Sequence, residues 1–389
     1  MHDVFSFLIT LAGILFFAKI FGELALKLGQ SPIIGELLAG ILIGPGFLGI
    51  VHETPVLLTM SELGAIILLF EVGLSTNIKK FLKAGGWAAA VAFIGVVAPY
   101  FLGYFVFLYF GLTNTQAIFA GAVLTATSVG ITARVFMDLQ YLETEEAKIV
   151  LGAAIIDDVI GLAILAVVLK LVTGEVVTFE TIASISGNAV LFLVLSVAAG
   201  MLIAPTLFKF ISKMGQPHMH ITLVMGAAFC FIISALSIKV GLASIVGAFV
   251  AGLVLSTTKQ DEEIKKDVKP IYAFFVPVFF VMMGINVDLS TFNPFVASNR
   301  GVLILTGVLF VIAFIGKALS GFIVFKKNIN KLLIGISMVP RGEVGLIFAG
   351  IGLQNNVFGA KDYSALVAVI MLTTFITPII LKYLISKKK

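Results

Sequence analysis

The sequence predicts an all-α polytopic membrane protein with thirteen transmembrane helices, built as two inverted six-helix repeats with broken helices at matching places. Three observations lead there. Of 389 residues, 60% are hydrophobic and 12% charged, with a mean hydropathy of +1.14. Soluble domains carry about 25% charged residues, so a disordered chain, a disulfide scaffold and an ordinary water-soluble enzyme are excluded. The apolar residues come in continuous runs close to the roughly 20 needed for one crossing, not in the alternation of a membrane barrel. Finally, two runs that stand seven apart in order are interrupted by polar, glycine and proline residues at their centres. The glycine content, 38 residues, suits helices that pack closely in lipid.

The runs are 4–22, 33–50, 56–76, 86–110, 115–137, 147–172, 185–212, 219–238, 240–258, 270–287, 301–325, 331–353 and 361–385. The first has Asp3 but no Lys or Arg between Met1 and Phe5, and no clear small-residue cleavage site, so it is read as a mature helix rather than a signal peptide. Gly44-Pro45-Gly46 marks a turn at the end of the second; no Lys-Ser/Thr follows, so it is not a phosphate loop. Trp87 opens the fourth as an interface anchor. Cys230, the single cysteine, lies in the eighth and cannot form an intrachain disulfide. Lys259 to Lys269, a run of mixed sign, reads as a solvated loop. His2, His52, His218 and His220 lie at segment ends, and the last two have the wrong spacing for a helical metal pair, so they read as interfacial or solvated. The chain stops three residues after Ser386, leaving no room for a regulatory domain.

Basic residues set the orientation. With the N-terminus outside, the inner face receives Lys19, Lys27, Lys79, Lys80, Lys83, Arg134, Lys148, Lys209, Lys213, Lys259, Lys265, Lys266, Lys269, Lys326, Lys327, Lys331, Lys382 and Lys387 to Lys389, which is 20 of the 26. The outer face receives Lys170, Lys239, Arg300 and Lys361. That asymmetry obeys the positive-inside rule, giving a cell-membrane protein with its N-terminus out and C-terminus in. The net charge of +5 is then inner-leaflet anchoring in the lipid bilayer and calls for no nucleic-acid partner. Lys317 and Arg341 fall inside spans.

An ionisable side chain at bilayer depth costs about 2.5–3.5 kcal/mol on insertion scales and is by default a functional hypothesis. Asp157 and Asp158 sit near the middle of the sixth run. Neighbours on a helix point about 100° apart, so one carboxylate can face a cavity while the other faces a packed helix. Lys317 is roughly 13 Å from the inner end at 1.5 Å per residue, too deep for easy snorkelling. An ion pair needs one carboxylate and here there are two, so the surplus acid must be neutralised by a proton or a metal cation.

The interrupted runs add the second signal. The fifth reads Thr125-Ala126-Thr127-Ser128-Val129-Gly130 at its centre, and the twelfth Val339-Pro340-Arg341-Gly342-Glu343. Broken helices expose carbonyls and opposed dipole ends near the midplane, as ion sites of secondary transporters do. Arg341 and Glu343 are placed to offset those dipole ends and each other. A displacement of seven spans reverses direction, so spans one to six and eight to thirteen are inverted repeats joined by the seventh.

At these residues the chain resembles the NapA-type sodium/proton antiporters, within the monovalent cation:proton antiporter family. The resemblance is carried by Pro32-Ile33-Ile34-Gly35-Glu36 through Gly44-Pro45, by Ala126 to Arg134, by Gly152 to Leu162, by Gly316-Lys317 and by Pro340 to Leu346. It implies an antiporter fold with crossed broken helices. The core transport domain would be 85–174 with 300–389, the dimerisation domain 1–84 with 215–299, and the linker helix 175–214. It also implies a homodimer, an elevator-type movement of the core, and a secondary transporter rather than an enzyme, with no cofactor. Asp158 would take Na⁺ or H⁺, with Asp157 and Thr127 beside it and Ser128 adjacent, while Asp157 pairs with Lys317. An Asp-Asp pair goes in this class with electrogenic exchange, 2 H⁺ per Na⁺, in the service of pH homeostasis. Relatives commonly carry Glu where this chain has Ser75; Glu71 lies one turn earlier. K⁺/H⁺ exchange is the alternative, with Li⁺ a further possible cargo. A sodium-coupled organic-anion symporter fits less well because it leaves a midplane lysine beside two acids unexplained, and a channel lacks a repeated filter-like loop.

Overall fold

Turn formers and caps cut the apolar chain into helices. The computed structural model describes residues 2–173, 178–214, 220–285 and 300–387, and every regular element among them is helical. After α1 (His2–Lys27), α2 (Pro32–Ile43) starts on a proline behind Ser31 and stops at Gly44. Thr54 caps α3 (Pro55–Leu74) by accepting the Leu57 N–H, and Asn77 caps the short basic α4 (Ile78–Lys83). Then come α5 (Gly85–Tyr109), α6 (Asn114–Thr125), α7 (Val129–Asp138), α8 (Glu145–Thr173) and α9 (Phe179–Met214). They are followed by α10 (Ile221–Lys239), α11 (Ser244–Leu255), α12 (Asp261–Ile285) and α13 (Arg300–Ala318), which tightens into a 3-10 turn over Leu319–Ile323. The chain continues through α14 (Lys331–Ser337), α15 (Glu343–Gln354) and α16 (Ala360–Ser386).

Among the described residues nine helical stretches, counting α6 and α7 as one, are long and apolar enough to cross a membrane; α2, α11 and α15 are apolar but shorter. This is a multi-pass membrane protein. The runs at 33–50 and 240–258 thus hold helices of only 12 residues each, because Gly44-Pro45 ends the first early and a turn at Gly241 delays the second. Lys259–Lys269 is corrected more sharply: from Asp261 onward it is the start of α12. Three acids in the first turn suit the helix N-terminus, and Lys265 holds Asp261 at 3.1 Å and Glu262 at 2.8 Å. His220 hydrogen-bonds Asp267 at 2.8 Å, and His218 lies outside the described residues.

Two sets of helices pack among themselves. In one, α3 lies against α11 and α12, α2 against α1 and α12, and α10 against α11. Gly73 and Gly252 face each other across α3 and α11, and a Cβ on either would run into the other helix's backbone; Gly40 and Gly284 do the same for α2 and α12. In the other, α5 contacts α6, α8 and α13, α15 contacts α6 and α16, and α13 contacts α16. Helix α9 runs along α8, α10 and α11. Helix α7 reaches from the second set to α2 and α3 of the first.

Candidate functional site

The fifth and twelfth runs each fold as two helices with a short extended link, residues 126–128 and 339–342. Pro340 explains the second break, since it has no N–H to give and its ring collides with the carbonyl four residues back. The first has no proline; it is held open by bonds to the second. The Ser128 N–H donates to the Pro340 carbonyl at 2.8 Å, and the Thr132 hydroxyl to the Ser337 carbonyl at 2.7 Å. The Thr127 hydroxyl reaches the Met338 carbonyl at 3.4 Å. The two links lie side by side in the protein interior.

Arg341 joins the helix ends. Its guanidinium is fully buried and donates to the carbonyls of Leu124 (2.7 Å), Val339 (3.0 Å) and Ala313 (3.2 Å), while Thr374 donates to the Arg341 carbonyl at 2.5 Å. Leu124 lies in the last turn of α6 and Val339 follows α14, so the cation lies at two helix C-termini, each equivalent to about half a negative charge. Arg341 is thereby balanced by backbone. Glu343 is the first residue of α15, and its side chain lies outside the described residues.

Beside this crossing, Lys317 of α13 is fully buried. Its ammonium donates to the Thr127 hydroxyl at 2.6 Å and sits 3.3 Å from both carboxylate oxygens of Asp157 on α8. Asp157 is 3% exposed, whereas Asp158 is only partly buried. Gly95 on α5 leaves room for the lysine: a Cβ there would touch its Cδ and Nζ at 3.7 Å. Charges therefore group as Arg341 against two helix ends and Lys317 against Asp157, with Asp158 next in the chain and less deeply buried. The Ser128 hydroxyl is buried with no hydrogen-bond partner among the described residues.

The structure brings together Thr127, Asp157 and Lys317, puts Arg341 on the adjoining helix ends, and sets Asp158 next to Asp157. Sequence reasoning missed the apolar cover. Leu68 and Leu69 of α3 and Phe279 of α12 lie where a Cβ on Gly130 would meet them at 3.6–3.8 Å, and a Cβ on Gly342 would meet Met283 at 3.4 Å. Nothing in the local pattern separates these from ordinary core residues. Arg134, counted with the inner-face charges, is 8% exposed and packed against other helices.

Gly342 allows the two links to touch, since a Cβ there would stand 2.7 Å from Ser128 Oγ and 2.9 Å from its Cβ. Gly342→Ala should cost about 1–3 kcal/mol through overpacking, read as a lower melting temperature of the purified protein. Adding Ser128→Gly should recover most of it; no recovery would mean that the crossing is not the point of strain.

The family profile for the transmembrane region of sodium/hydrogen exchangers matches residues 12–387. The high-affinity Na⁺/H⁺ antiporter NhaS3 of Synechocystis is 37% identical, over 95% of this chain and 88% of its own. The Na⁺/H⁺-K⁺ antiporter GerN of Bacillus cereus is 33% identical, over 99% and 97%. Among solved structures, the sodium proton antiporter MjNhaP1 of Methanocaldococcus jannaschii superposes with a TM-score of 0.65 at 19% identity, covering 98% of this chain and 96% of that one, a likeness of fold.

Proposed function

The chain belongs to the sodium/hydrogen exchanger family, and from that premise we propose that it is a secondary transporter of the NapA type, exchanging intracellular Na⁺ for external H⁺ at Asp158. One observation carries the reading: at the crossing of two broken helices two acids stand beside one buried lysine, and that lysine is already paired with Asp157. Asp158, the neighbouring and less deeply buried acid, is the one to which this reading assigns the exchanged ion.

An apolar cover made by Leu68, Leu69, Phe279 and Met283 lies against the site, and a bare carboxylate does not cross such a surface without a large desolvation cost. Either Na⁺ or H⁺ on Asp158 removes that cost, and one carboxylate cannot hold both. Exchange follows because only the neutralised site reorients. Asp157, the Thr127 hydroxyl and the Ser128 hydroxyl, buried without a hydrogen-bond partner among the described residues, supply further oxygens for Na⁺, which takes oxygen donors as a hard cation. When the cation draws Asp157 away from Lys317, the ammonium releases its proton. Two H⁺ then enter for one Na⁺ leaving, and one net positive charge moves inward.

In this reading the thirteen segments form two inverted six-helix repeats. The helices around the crossing (85–174 and 300–389) move as the core against 1–84 and 215–299, with 175–214 as linker. The way α5, α6, α8, α13, α15 and α16 pack on one another, apart from α1, α2, α3, α10, α11 and α12, supports that division. The protein would work as a homodimer in the cell membrane with its N-terminus outside, as the 20 basic residues on one face support. Glu343 would share charge compensation with Arg341.

The test is flux in proteoliposomes carrying a pH dye inside. A sodium gradient should drive proton movement that stops when the gradient is removed; movement of Na⁺ and H⁺ in the same direction would overturn the exchange. GerN carries potassium in its name, so potassium runs in parallel as the second cargo.

A further inference from the structure

Arg134 is a buried cation that ion exchange at Asp158 does not use. It lies on α7, less than two turns beyond Ser128. Its Nε holds Asp138 of the same helix at 3.0 Å, and the Ser31 hydroxyl, just ahead of α2, donates to Asp138 at 3.2 Å. Across the helix boundary its Nη2 stands 3.9 Å from Glu36 Oε1 of α2, and the guanidinium lies 4.8 Å over the ring of Tyr272 on α12. Glu36 is 4% exposed. A separation of 3.9 Å is attraction without a hydrogen bond. Glu36 Oε2 and Arg134 Nη1 are both buried with no hydrogen-bond partner among the described residues. Alongside lies a cavity of about 190 Å³, bordered by Glu36, Arg134 and Tyr272 and by Lys19 and Glu23 of α1.

For Arg134 the tight ion pair runs within α7 and the loose one runs to α2; the Ser31–Asp138 hydrogen bond crosses the same boundary, which marks a line along which few polar contacts must part. We infer that Arg134 and Glu36 form a clasp between the broken helix α6–α7 and helices α2 and α12, opening and re-forming in each transport cycle. They are positioning residues for the reorientation step and not cation ligands. When α7 shifts, Arg134 takes Asp138 with it, the Ser31–Asp138 hydrogen bond breaks as well, and Glu36 is left facing the cavity. That cavity has room for several waters at about 30 Å³ each, enough to solvate the separated carboxylate. The inference rests on the exchange reading and on a core that moves.

Glu36→Gln keeps the shape and removes the attraction. In proteoliposomes the maximal rate of sodium-driven proton flux should rise at least about threefold while the sodium KM stays within about twofold, the split expected of a residue that acts on a conformational step. Hydrogen–deuterium exchange over 32–43 and 129–138 should quicken alongside it. Arg134→Lys keeps the charge but loses the arm that reaches Glu36, and should move both quantities in the same direction; it is read alone if Glu36→Gln does not fold. An unchanged or lower maximal rate, or a KM shift at constant rate, would overturn the clasp. Absence of flux from the unmodified protein would overturn the exchange reading itself. An active unmodified exchanger that Glu36→Gln merely matches would remove the clasp alone.

Discussion

Asp158→Asn reduces sodium-dependent proton flux to the level of protein-free vesicles. The amide is nearly the same size as the acid and is permanently neutral, so the variant should fold and reorient but carry neither ion. Asp157 and Lys317, which touch at 3.3 Å, keep their pairing, and the melting temperature should hold. Flux retained by the folded variant would place the exchange site elsewhere. The same logic fixes the pH dependence of the unmodified protein. Protonation of Asp158 excludes Na⁺, so below the pH at which the site half-protonates, each further unit of acidification raises proton occupancy pressure about tenfold. The apparent sodium KM should rise by up to that factor per unit while the maximal rate is retained. A KM independent of pH across a range where the rate changes would show that the ions do not compete.

Asp157→Asn separates coupling from charge movement. Its carboxylate is the acid that faces the Lys317 ammonium, and removing one partner of a buried pair costs about 3–5 kcal/mol when the other stays charged. Lys317 avoids that cost by remaining a neutral amine throughout the cycle, so it has no proton to release. Exchange then continues at one H⁺ per Na⁺. Flux under a clamped membrane potential should become independent of the potential, and the transport current should vanish, with a KM change no larger than about tenfold for the loss of one cation oxygen. An unchanged current from this variant would refute proton release by Lys317 and leave the second proton to be found elsewhere.

Much of the site is readable from one-dimensional facts because the bilayer makes polarity conspicuous. Asp157, Asp158, Lys317 and Arg341 each stand out against an apolar run, and Pro340 announces a break where backbone must find new partners. The break before Ser128 is less legible: no proline marks it, and it persists through the bonds from Ser128 to Pro340 and from Thr132 to Ser337, made to a segment some two hundred residues away. The burial of Arg134 is hidden in the sequence for a related reason. A basic residue near the end of a run looks like a snorkelling anchor, and only the packing of α7 on α2 and α12 turns it into a buried ion.

Taken alone, the order of residues determined that the chain lives in lipid and which ionisable groups interrupt its apolar runs, because both follow from the cost of polarity in hydrocarbon. Tertiary structure decided how those charges divide. Arg341 is spent on the C-terminal ends of α6 and α14, and Lys317 on Asp157 and Thr127. Such pairing depends on distances between helices remote in sequence, which hydropathy does not encode.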